Sequence, residues 1–368
     1  MRAAVLEAPR QALVVRDVDT PRVLRPDEVR IRTAAVGLCH SDLHVIDGLV
    51  ARPMPVILGH EASGVVAEVG ADVDDVRAGD HVVVCFVVYC GRCRMCRAGR
   101  PAMCMDREAT MRGASEPPRL SIGGAEVHQW TNVAGFAEEL VVHRNAVTVI
   151  DERMPLDLAA MLGCAVATGV GSARKVAAVG AGDSVVVIGC GGVGLNVCQG
   201  AALAGARTIV AVDRSAERLE LARERFGATH AVSTLDNPGA LAEILSATEG
   251  GADATFEAVG IPALVPFALD ATARGGRVYA VGVFGDAAEI VLPAGHLHSG
   301  KGLIGVRAGS LEPQRDIPDL VSQFLAGRLE LEALVGARIP LDRIQEGIDD
   351  LREGAGARTL VVFDQAIE

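Results

Sequence analysis

The chain has 368 residues, 50% hydrophobic and 22% charged, which is enough apolar material for roughly two domains of ~150 residues and excludes a mostly disordered chain. A net charge of −12 excludes a general nucleic-acid binder, which needs a basic surface. Aromatic residues are only 3%, so the core has to be built from Val, Leu, Ile and Ala.

Glu7 and Pro9 come before any apolar stretch long enough for a secretory signal, so we expect a cytoplasmic protein. Residues 1–155 read as β-rich. Positions 28–36 alternate Val29, Ile31, Thr33 and Ala35 on one face, the pattern of a half-buried strand. Residues 64–70 and 81–88 read as two more strands, with Gly79-Asp80 as the turn between them. From about Asp183 the period changes. A short β-branched run at 184–188 precedes a helix-like stretch at 194–205, a strand at 208–212 and an amphipathic helix at 215–226 stopped by Gly227. Further strands are expected at 254–258, 277–283 and 303–306. Strands alternating with helices indicate a parallel sheet covered on both faces, an α/β domain. The tail should hold helices at 317–326 and 342–352 and a last strand at 359–363.

Residues 185–206 carry no charge and are long enough to span a bilayer. They also hold six glycines with Asn196 and Gln199, so a strand, a glycine turn and a buried helix explain them better, and no membrane partner is expected.

Gly189-Cys-Gly191-Gly192-Val193-Gly194 fits G-x-G-x-x-G. The pattern alone is weak. Here it follows a strand, opens a helix, and is followed 19 residues later by Asp213 at the end of the next strand. Glycines let a backbone approach a pyrophosphate, and the helix start offers free N–H groups. Asp213 would accept from ribose hydroxyls and repel a 2′-phosphate, which favours NAD over NADP. Arg214, next to it, softens that preference.

The nine cysteines include Cys90, Cys93, Cys96 and Cys104, spaced C-x2-C-x2-C-x7-C. Four thiolates on one loop close a tetrahedral zinc site with no open position, which is structural and not catalytic. An iron–sulfur cluster is the rival; the ferredoxin-like run wants Pro after its last Cys, and Met105 stands there. Cys85 and Cys198 read as ordinary buried thiols. Three further segments carry candidate chemistry: Cys39-His40-Ser41-Asp42-Leu43-His44, Gly59-His60-Glu61, and Cys164. Spacing alone does not show that they converge.

With Cys39, Gly59-His60-Glu61, the 90/93/96/104 cysteines, Cys164 and the glycine turn in this order and spacing, the chain resembles the zinc-dependent medium-chain alcohol dehydrogenase family, long-loop branch, over essentially its whole length. The resemblance implies a GroES-like β-rich catalytic domain (1–164), a Rossmann domain binding NAD (165–307) and a C-terminal return to the catalytic domain (308–368). It implies two zinc ions. One is catalytic, held by Cys39, His60 and Cys164, with water or substrate in the fourth position and Glu61 nearby as an alternate ligand; the other is structural. Asp42 matches a residue that hydrogen-bonds the ligating His. Ser41 and His44 match a proton relay. His40 and Arg358 match cations on the cofactor pyrophosphate, Arg218 a cation near the adenosine ribose, and Thr168 and Val193 residues behind the nicotinamide. Phe86 and Val283 match the substrate pocket.

The long 104–136 stretch resembles dimeric relatives, so a homodimer is expected. Val50 and Glu108 stand where glutathione-dependent formaldehyde relatives carry an acid and an Arg, so that activity ranks lower, although Asp47 and Arg112 lie nearby. The apolar pocket positions imply a primary, hydrophobic alcohol, aryl or allylic, and its aldehyde. A nicotinoprotein that keeps its NAD is the alternative.

Overall fold

The computed structural model describes residues 1–113, 115–354 and 358–364. The chain divides into two compact units, Met1–Cys164 with Leu311–Glu368, and Ala165–Ser310.

The first unit is built on a seven-stranded sheet. Its path runs Val147–Val149, His81–Cys85, Glu61–Val69, Glu28–Gly37, Arg358–Val362, Val335–Pro340, and Glu139–His143 adds to Glu28–Gly37. A four-stranded sheet (Val14–Asp17, Arg2–Leu6, Val56–Ile57, His128–Gln129) lies beside a common core in which Leu6, Ile31, Leu38, Ile57, Leu58, Phe136 and Leu140 are buried. Glu28–Gly37 departs from the expected half-buried alternation. From Thr33 to Gly37 both faces are buried, because the helix Leu156–Ala159 and the turn Ala160–Gly163 pack against this strand. A period of two survives only where one face meets water. The tail helix begins at Pro313, earlier than expected, since proline is tolerated in a first helical turn.

The second unit is a six-stranded, all-parallel sheet in the order His230–Ser233, Thr208–Asp213, Ser184–Ile188, Ala252–Glu257, Thr272–Ala280, Gly302–Gly305. This is the doubly wound order 3-2-1-4-5-6 of a dinucleotide fold. Ser184–Ile188 is buried along its whole length, and Gly194–Ala201 of the following helix Gly192–Leu203 is buried too. The uncharged 185–206 run is therefore central strand plus core helix. Among the described residues, no single helix is long and apolar enough to cross a membrane.

Candidate active site

The four-cysteine loop closes on itself. The ligand atoms of Cys90, Cys93, Cys96 and Cys104 lie within 4.8 Å of one another. Two Sγ–Sγ separations are 3.4 Å (Cys93–Cys96) and 3.9 Å (Cys90–Cys96). A tetrahedron with ~2.3 Å zinc–sulfur bonds has edges of about 3.8 Å, so the spacing suits a single zinc ion. Backbone N–H groups of Cys93, Cys90 and Met105 donate to the sulfurs of Cys90, Cys104 and Cys93. The hydrogen bond from Met105 leads in holding the Cys93 thiol down at about 6.

The second cluster is assembled from three distant segments, and Cys39, His60, Glu61 and Cys164 bring their ligand atoms within 4.8 Å of one another, all buried. Cys39 is the N-cap of the helix His40–Ile46 and Cys164 ends the turn Ala160–Gly163. His60 and Glu61 stand at the head of the strand Glu61–Val69, where Glu61 pairs in register with Gly37 on one side and Cys85 on the other. Gly37 is required there by space, since a Cβ on it would stand 2.5 Å from Glu61 Oε2.

Asp42 ties this geometry together. It is fully buried; its Oδ1 accepts from Gly59 N (3.2 Å) and faces His60 Nδ1 at 3.1 Å, and its Oδ2 accepts from Cys39 N (3.2 Å). One carboxylate thus fixes the backbone at Cys39 and beside His60 as well as the His60 ring, leaving His60 Nε2 to face an ion. Burial pushes the His60 imidazole down, but the Asp42 and Cys39 charges outweigh it and raise it well above its usual range. The hydrogen bond from Cys164 holds the Cys39 thiol well below its ordinary value, and Cys164 is pushed up in return. Burial lifts the Glu61 carboxyl to about 8 against the opposing charge of Arg358. Arg358 Nη1 lies 3.2 Å from Glu61 Oε1 and donates to Leu38 O at 2.6 Å, yet both Glu61 oxygens lack a hydrogen-bond donor. Buried thiols, an oriented imidazole and an undonated carboxylate on one spot form the donor set of a divalent transition metal.

The relay positions share one short helix. Ser41 Oγ is 3.7 Å from Cys39 Sγ, and His44 follows three residues on, half-buried, with Nδ1 buried and unbonded. His40, on the first turn, is exposed. Phe86 sets its ring edge-on to His60, centroids 5.6 Å apart. Trp130 does the same at 6.4 Å, and Arg52 lies over the Trp130 ring. The sequence reading missed Trp130 and Arg52. Trp130 is the sole tryptophan in the chain, and that singularity was the available signal.

In the second unit the glycine turn is a true strand–turn–helix. Gly189 has φ +94°, and a Cβ on Gly194 would fall 1.7 Å from Gly189 O, so only glycine fits. Nothing lies within 4 Å of a Cβ built on Gly191, and Gly192 and Val193 are half-buried. Asp213 accepts from Cys190 N through Oδ2 (2.7 Å) and from Arg214 and Ser215 N through Oδ1. Arg218 is half-buried on the helix Ala216–Arg225 and Thr168 is buried in Ala165–Gly171. Val283, just past Thr272–Ala280, is 49% exposed.

Residues 25–152 match the family described as alcohol dehydrogenase GroES-like domain, and residues 192–326 the family described as zinc-binding dehydrogenase. The NDMA-dependent alcohol dehydrogenase of Amycolatopsis methanolica is 37% identical, with 98% of each chain covered. The chain belongs to the zinc-dependent medium-chain alcohol dehydrogenase family. Two solved structures are similar over nearly the whole chain. An alcohol dehydrogenase zinc-binding domain protein from Burkholderia ambifaria has TM-score 0.92 and 33% identity, and benzyl alcohol dehydrogenase from Acinetobacter calcoaceticus has TM-score 0.92 and 30% identity; each match covers 98% of this chain, with 98% of the first and 99% of the second covered in turn.

Proposed function

We propose that this alcohol dehydrogenase interconverts a primary aryl or allylic alcohol and its aldehyde, with NAD as the hydride acceptor. The observation that carries the reading is the buried convergence of Cys39, His60 and Cys164, with Glu61 behind them, on one ion-sized spot beside the aromatic rings of Phe86 and Trp130. When bound, zinc supplies a Lewis acid that lowers the pKa of an alcohol, and a nicotinamide supplies the hydride acceptor. Asp42 orients His60, and Glu61 stands ready as an alternate ligand. Ser41 takes the alcohol proton and His44 passes it outward, an assignment supported by their shared helix and the unbonded His44 Nδ1. Phe86 and Trp130 exclude water and favour a flat substrate.

Gly189, Gly191, Gly192 and Gly194 would cradle the pyrophosphate, with Val193 and Thr168 behind the nicotinamide ring and Val283 beside it. The fixed carboxylate of Asp213 supports NAD over NADP, with Arg218 near the ribose. His40 and Arg358 would face the phosphates; Arg358 carries a second task, since its charge steadies Glu61. Arg112 is held by Glu28 and Asp47 by Arg352, which weighs against an anionic thiol adduct as substrate. A homodimer is supported by the strand Gly302–Gly305, which among the described residues ends its sheet with one side unpaired, and by the exposed Leu303, Val291 and Leu297.

The NDMA-dependent relative favours a second reading, in which NAD stays bound and is reoxidised in place. The test is metal analysis of the purified protein together with a panel of ethanol, benzyl alcohol and cinnamyl alcohol run with NAD, NADP or NDMA. We expect two zinc ions per chain and turnover of the aryl alcohols above ethanol. Nicotinamide released by denaturing the purified protein, with activity only on NDMA, selects the second reading. One zinc per chain, or no turnover with any acceptor, overturns both.

A further inference from the structure

The aromatic wall beside His60 ends in a cation that, among the described residues, no carboxylate holds. Arg52 lies in the segment between His40–Ile46 and Val56–Ile57 and is exposed. Its guanidinium carbon is 4.8 Å from the centre of the Trp130 ring, and Nη1 donates to the adjacent Ala51 O at 2.8 Å. Among the described residues no Asp or Glu pairs with it. Arg25, Arg30, Arg112, Arg119 and Arg144 of the same unit each pair with a carboxylate. In a chain of net charge −12, an unclaimed arginine beside the site is a local reversal of the field that an anionic molecule would otherwise meet.

The position has a chemical meaning. Trp130 is 8% exposed and stands edge-on to His60 at 6.4 Å, so a single indole separates the metal-facing imidazole from the guanidinium. One substituted benzene ring spans such a distance with its hydroxymethyl carbon at the metal and its opposite substituent outward. A guanidinium that stacks by its face keeps its N–H edges for a planar acceptor, and a carboxylate matches that fork.

We propose that Arg52 is a specificity-determining residue that selects aryl alcohols and aldehydes carrying a carboxylate on the ring opposite the reacting carbon; this rests on the aryl alcohol reading above. The test compares 4-(hydroxymethyl)benzoate with benzyl alcohol in the wild type, Arg52→Gln and Arg52→Lys. We expect the wild type to prefer the carboxylate. In Arg52→Gln the ratio of the two kcat/KM values should fall by at least about tenfold, mainly through KM, as loss of a charged hydrogen bond does. Arg52→Lys should fall between, and added salt should weaken the wild-type preference. A second readout is binding: quenching of the Trp130 fluorescence, the sole tryptophan signal, by 4-(hydroxymethyl)benzoate should weaken by a similar factor in Arg52→Gln. Benzyl alcohol turnover with no preference dependent on Arg52 sinks the inference and leaves the alcohol dehydrogenase reading intact. Arg52-dependent quenching without turnover of either alcohol does the reverse.

Discussion

The two cysteine-bearing clusters solve the same coordination problem by opposite routes. Cys90, Cys93, Cys96 and Cys104 sit within one 15-residue loop, are half-exposed, and are oriented by N–H groups of that loop. Cys39, His60, Glu61 and Cys164 come from segments up to 125 residues apart, are buried, and are oriented by Asp42. A local set needs only its own turns. A distributed set depends on the whole sheet, and in return it can carry mixed ligands and face a pocket. Closed symmetry suits stability, and an oriented mixed set suits chemistry.

The sharpest way to break this contrast is to remove one thiol from each side. Cys39→Ser should lower turnover by at least about a thousandfold, since a Lewis acid supplies several kcal/mol of barrier, and should release one of two metals with little change in melting temperature. Cys93→Ser should also release one metal, but should lower the melting temperature by roughly 5–10 °C. Metal analysis and calorimetry on both variants check this. Equal losses of stability with equal losses of activity would erase the distinction between the two sites.

A smaller effect tests how the buried set is held. Asp42 stands outside the clustered ligand set, yet it accepts from Gly59 N and Cys39 N and faces His60 Nδ1. Asp42→Ala should weaken metal affinity at the buried site by about 10–100-fold, as losing the partner of a ligating imidazole does, and should leave the cysteine loop unchanged. Competition with a chelator would show two release phases in the variant. A single phase like that of the wild type would mean that the sheet alone positions the ligands.

The same contrast explains what could be read from the sequence. The cysteine loop was legible because its spacing is its geometry. The glycine turn was legible because strand, turn, helix and Asp213 fall within one local unit. The convergence of Cys39, His60 and Cys164 was not legible from spacing; it came only through resemblance, because it depends on the register that sets Glu61 against Gly37 and Cys85. Trp130 and Arg52 escaped for a related reason. Trp130 faces His60, and Arg52 faces Trp130, across turns whose path no periodicity announces, and Thr131 and Asn132 there have φ of +54° and +63°. By resemblance Arg358 matches a cofactor cation, and nothing local marks its pairing with Glu61 from the far end of the chain.

The scaffold that supports the distributed site offers the last and most gradual test. Glu28, at the start of the central strand, is fully buried and is bonded by Arg112 and Arg119, both also nearly buried. Burial works to raise its carboxyl, but the hydrogen bonds from the two guanidiniums prevail and hold it at about 2, below the ordinary 4.5. A carboxyl depressed in the folded state stabilises it in full above the unfolded value. That stabilisation fades as pH falls from about 4.5 to about 2, and its size is about 3 kcal/mol. Glu28→Gln leaves two buried guanidiniums uncompensated and should cost about 3–5 kcal/mol at neutral pH. Denaturant unfolding of both proteins at pH 7, 5 and 3.5 isolates the effect. Acid also protonates the thiolates, but it does so in both proteins. The gap between them should therefore narrow as pH drops below 4.5, and a gap that stays constant would show that this carboxylate is not what acid releases first from the sheet.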